Sequence, residues 1–84
     1  MVLSASHKVA LRQMGYTARD VAEIGLALDA GEFTYEGENG RRISEGTAKT
    51  KLGMYAFLSG IGRAAFHRTA VRGEEGASIM IVRK

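Results

Sequence analysis

The sequence predicts an α+β fold: two N-terminal helices, a third helix and a C-terminal β-hairpin, arranged as a winged-helix-like variant. Three observations carry that reading. The run ARDVAEIGLALDA, between Thr17 and Gly31, places apolar residues at helical spacing. The run SEGTAKTKLGMYAFLSGIG, residues 44–62, does so over a longer span. Period-two alternation then takes over in AAFHRTAVR and ASIMIVRK, on either side of Gly73-Glu74-Glu75-Gly76.

The first helix starts at Ser4 or Ser6, either of which can cap free N–H groups, and stops at Gly15. Tyr16 is placed to touch Leu11 across that end. The second helix has a capping-box spacing, Thr17 followed by Asp20, with Tyr16 and Val21 spaced as a hydrophobic staple. Val21, Ile24 and Leu28 form its apolar face, and Gly25 on that face suggests close packing. Residues 32–43 form an irregular link. Asn39-Gly40 signals a type I′ turn, with Phe33 and Tyr35 before it and Ile43 after it either on short paired strands or, since Gly37 weakens the first arm, in an open loop.

The third helix runs from Ser44 to near Gly60. Ala48, Leu52, Tyr55 and Ser59 lie on its core face, while Gly46, Thr50, Gly53, Phe57 and Gly60 form a second stripe suited to tight packing on the first or second helix, or to a close partner or a dimer seam. In the terminal hairpin both faces of ASIMIVRK are apolar, which predicts cover on both sides.

An 84-residue chain with 45% hydrophobic and 25% charged residues fits one small domain, residues 1–84. There is no cysteine, and His7 and His67 match no zinc spacing, so no metal and no cofactor are expected. MVLSASHK lacks the apolar run of a secretory signal, and no stretch reaches the ~18 apolar residues of a membrane span. A cytoplasmic location is the expectation.

Charge points to the function class. Residues 1–32 carry three Lys/Arg against four Asp/Glu, giving −1; residues 33–84 carry nine Lys/Arg against five Glu, giving +4. That asymmetry suggests a polyanion for the second half. TARDVAEIG resembles the first helix of bacterial helix-turn-helix regulators, but LALDAG continues an apolar face where a turn and a polar second helix belong. No family follows from it.

The expected function is a small non-enzymatic DNA-binding regulator. Its third helix offers Thr47, Lys49, Thr50 and Lys51 to phosphates and base edges, and Arg63, Arg68 and Arg72 continue along the wing, with Arg83 and Lys84 at its end. The partner is double-stranded DNA. The alternative is a protein-binding inhibitor or adaptor of a larger machine, such as a phage-encoded anti-CRISPR, using Gly46, Gly53, Phe57 and Gly60, with a homodimer as a further use of that stripe. His67 and Glu74-Glu75 form no recognisable catalytic set.

Overall fold

The computed structural model describes residues 2–73 and 75–84. Among them the chain order is α1 (Ala5–Gln13), α2 (Ala18–Asp29), β1 (Phe33–Glu36), β2 (Arg42–Ile43), α3 (Glu45–Leu52), α4 (Met54–Ala64), β3 (Thr69–Arg72) and β4 (Ser78–Arg83). The α+β class read from the sequence is what the chain forms.

The N-terminal helices follow their local signals. Ser4 caps α1, and His7 completes a capping box by accepting the Ser4 N–H on Nδ1. Gly15 N–H donates to the Arg12 carbonyl and Tyr16 N–H to the Leu11 carbonyl, the paired bonds of a Schellman ending. Thr17 and Asp20 then exchange the capping-box bonds, each at 3.1 Å. Two helices are thus joined at a sharp corner whose polar groups are satisfied by its own residues.

The long third helix expected over 44–60 is two helices. Gly53 takes φ +83° and ψ 154°, a backbone state nearly confined to glycine. Its N–H closes α3 on the Lys49 carbonyl, and its own carbonyl accepts from Phe57 N–H to open α4. The apolar pattern continued across this break because both halves bury residues in one core. Periodicity alone therefore could not reveal the corner.

The strands form one antiparallel sheet in the order β2-β1-β4-β3. Phe33, Tyr35, Ile79, Ile81 and Thr69 are buried on one face, which the helices cover. The opposite face was expected to be covered as well. It carries the half-buried Thr34, Glu36, Met80 and Val82 and the exposed Ala70, with no layer over them among the described residues. The β1–β2 turn also differs from the expected form. A type I′ turn needs positive φ at Asn39, and only Gly40 has it, at +75°. The turn centres on Glu38-Asn39 instead, closed by Gly40 N–H on the Gly37 carbonyl at 3.0 Å, with Gly37 N–H donating to Arg41 at 2.9 Å. At the second hairpin Gly76 N–H donates to Gly73 and Gly73 N–H to Ala77, the same two-bond pattern; Glu74 lies outside the described residues.

Helix α4 is the centre of the molecule. Phe57, Leu58, Ile61 and Ala64 are buried in it, and Phe57 stacks on Tyr35 with ring centroids 5.8 Å apart. Two of its glycines make room on opposite sides. A Cβ on Gly60 would stand 2.6 Å from Val71 Cγ2, whereas one on Gly62 would stand 2.8 Å from the Tyr16 ring. Two residues turn a helix by about 200°, so α4 is pressed between the sheet and the α1–α2 corner.

Candidate nucleic-acid interface

The register of the sheet decides which basic residues act together. Glu36 lies opposite both Arg42 and Met80, and Met80 lies opposite Ala70. These four form one row on the open face. Arg72 lies opposite Ser78, one two-residue step nearer the hairpin turns, and so shares that face. The strand spacing puts Arg42 and Arg72 at opposite sheet edges, about 16 Å apart. Arg68, immediately before β3, and Lys84, immediately after β4, line a shallow cleft at the other end of the sheet, together with residues 64–67, Val82 and Arg83.

The centre of this face is small or apolar: Thr34, Ala70, Met80 and Val82. Arg42 and Arg72 stand on its two edge strands, and Arg68 and Lys84 flank its far end. None of these four cations forms an ion pair among the described residues. Glu36 is the acid of the face, directly across from Arg42. The aromatic strand residues, Phe33 and Tyr35, point the other way into the core.

Arg83 is not a wing cation. It lies opposite Phe33 in the register and turns toward the helices. Its Nε donates to Glu32 at 2.9 Å, Nη1 to the Ala65 carbonyl at 3.3 Å and Nη2 to Glu23 at 3.5 Å. The Glu32 hydrogen bond, the largest influence, raises its pKa further above the ordinary arginine value. This side chain fastens the end of β4 to α2 and to the end of α4.

The residues expected to read DNA do not gather on one surface. Thr47, Thr50 and Lys51 are exposed on α3 and Lys49 is half-exposed. The Thr47 hydroxyl accepts from Ser44, and the Thr50 hydroxyl donates to the Gly46 carbonyl, so both threonines are engaged locally. Arg63 lies on the helical side, lining a shallow cleft with Tyr16, Asp20, Phe66 and His67. Arg72 belongs to the open sheet face, and Arg68 lines the cleft at its far end. Arg68 and His67 precede β3 rather than lying within it. The helix that leads into the last hairpin, α4, is the buried one, so it cannot serve as a groove reader.

The glycine stripe also dissolves. Gly46 and Gly53 are exposed, and a Cβ on Gly53 would meet nothing within 4 Å. Phe57 is fully buried, and Gly60 faces the sheet. No partner surface can include Phe57 in the folded chain.

Sequence reasoning missed two groups. Arg41 and Arg42 sat in what read as a link, and only strand pairing puts Arg42 on a shared face. Leu26 and Phe66 are 67% and 47% exposed and line one shallow cleft with Arg19, Asp20, Ala22 and Glu23. Leu26 followed the helical apolar pattern and so resembled core.

Among the described residues no helix is long and apolar enough to cross a membrane. No protein-family model matches the chain, and neither a curated protein nor a solved structure shows significant similarity to it.

Proposed function

We propose that the protein is a small, non-enzymatic nucleic-acid-binding protein that lays the open face of its sheet on double-stranded DNA. The observation that carries this reading is a set of four cations, none ion-paired among the described residues, on or beside one sheet face: Arg42 and Arg72 on its edge strands, and Arg68 and Lys84 at its far end. Arginines about 16 Å apart at the sheet edges suit phosphates on either side of a groove about 12 Å wide. The absence of an aromatic residue on this face favours duplex over single strands, because single-strand binders stack bases on aromatic side chains. Contacts of this kind position a protein on the backbone and carry little sequence information. Regulation of transcription would then follow from occupancy or bending rather than from base reading.

Binding is tested by a salt titration on generic duplex DNA. With about four phosphate contacts, log K falls against log salt with slope roughly −3.6. Replacing Arg42, Arg68, Arg72 and Lys84 with Ala flattens the slope, whereas Arg63→Ala leaves it unchanged. Undetectable binding at ~50 mM salt, where the electrostatic contribution is large, would remove this reading.

A second reading, a protein-binding inhibitor or adaptor, is favoured by the Leu26–Phe66 cleft. An exposed aromatic beside an exposed leucine, rimmed by Arg19 and Glu23, has the composition of an interface centre. It moves the partner surface from the glycine stripe to α2 and the α4–β3 connection.

A further inference from the structure

The two hairpin turns lie at the same end of the sheet, because β1 leaves toward the turn from which β4 enters. Glu38 of the first turn accepts the Ser78 N–H of the second hairpin at 3.3 Å. Between them opens a cleft of about 590 Å³, within the usual range for small-molecule sites. Three cations line it from three separate elements: Arg41 from the turn, Arg42 from β2 and Lys51 from the last turn of α3. None is ion-paired among the described residues, and Glu38 is the one acid in the lining.

Lys51 is held there by close backbone packing. Gly73 approaches α3 so nearly that a Cβ would stand 2.7 Å from the Lys51 carbonyl oxygen. The same cleft has an apolar side, Ile43 and Ile79, and an amide, Asn39. Asn39 Oδ1 already accepts from Arg41 N–H at 3.1 Å, which leaves its NH₂ as a donor.

We propose that this cleft binds a nucleoside polyphosphate: Arg41, Arg42 and Lys51 hold the phosphate chain, and Ile43 and Asn39 meet the nucleoside. A single phosphate would leave most of the volume empty and use fewer than three cations. Glu38, as an acid in the same lining, repels a polyphosphate. Removing its charge therefore tightens binding. Arg42 belongs to both the cleft and the open sheet face, so a bound polyphosphate also displaces duplex DNA. That last consequence rests on the nucleic-acid reading; occupancy of the cleft does not.

Calorimetric titration of the full chain with a nucleoside triphosphate, with tripolyphosphate and with the bare nucleoside tests the proposal. One triphosphate binds per chain, and tripolyphosphate binds several-fold more weakly. Lys51→Ala and Arg41→Ala each weaken binding about tenfold, the size of one charge-assisted contact. Glu38→Gln keeps an acceptor for Ser78 N–H and tightens binding by about threefold or more. Arg12→Ala, the same charge change on α1, has no effect. Absence of saturable triphosphate binding overturns the proposal. So does equal weakening by Arg12→Ala, which would mean diffuse attraction, or weaker binding in Glu38→Gln. Equal affinity for tripolyphosphate overturns the nucleoside contact. Duplex binding measured without nucleotide reports separately on the sheet face.

Discussion

Gly73 and Lys51 meet through their backbones. A Cβ on Gly73 would stand 2.7 Å from the Lys51 carbonyl oxygen and 2.9 Å from Leu52 Cα, and neither atom can move without moving α3. The second hairpin is thereby fixed to the helix that carries Lys51. Gly73→Ala is expected to cost about 1–3 kcal/mol, the usual price of overpacking. A lowered denaturation midpoint at unchanged m-value would show it. An unchanged midpoint would mean that the hairpin and α3 are not in contact.

Gly53 is required for a different reason. Nothing lies within 4 Å of the position its Cβ would take, yet its φ of +83° is strained for any L side chain. Gly53→Ala is therefore expected to destabilise by about 1–3 kcal/mol. A continuous helix would give the opposite result, a gain of up to ~1 kcal/mol from alanine's helix propensity. The sign of the shift in a urea melt separates the two.

The Tyr35 hydroxyl is buried with no hydrogen-bond partner among the described residues, while its ring stacks on Phe57. Removing the hydroxyl should stabilise the fold by up to about 1 kcal/mol, because an unsatisfied polar group no longer has to be desolvated. Burial, and then the nearby Glu45 carboxylate, raise the Tyr35 pKa. The folded state thus keeps its proton where the unfolded chain, with a pKa of about 10, loses it. Stability from this group is fully present below pH ~10 and is lost as pH rises beyond it. Urea melts at pH 8 and 10.5 should show a smaller alkaline loss in Tyr35→Phe than in the parent. Tyr16, whose pKa burial also raises, accounts for part of what remains. An equal loss in both proteins would contradict the buried hydroxyl.

Local chemistry was the most legible part of the sequence. Thr17 with Asp20, and Gly15 with Tyr16, name their bonds through short spacings, and those bonds form as read. Properties set at a distance were not legible. Gly53 breaks a helix although the apolar pattern runs through it, because α3 and α4 share one core. Asn39-Gly40 suggested a turn, but only Gly40 takes positive φ, and the turn centres one residue earlier on Glu38-Asn39. Met80 and Val82 looked like a second buried face. They are held at half exposure by their neighbours in the sheet rather than by a covering layer. Arg42, Arg72 and Arg83 show the same lesson for the site. Arg42 read as part of a link and the other two as strand cations, yet the register sends Arg42 and Arg72 to the open face and Arg83 toward Glu32 and Glu23.

The most direct measurement of the central claim is residue-resolved mapping of DNA contact. Backbone amide shifts of the isotopically labelled protein would be followed during titration with a short generic duplex at ~50 mM salt, where phosphate contacts are strong. The open-face account expects the largest shifts at Arg42, Ala70, Arg72, Met80 and Val82, with Ala22 and Leu26 unmoved. Shifts confined to α3 or to the Leu26–Phe66 cleft, with the sheet face silent, would contradict it.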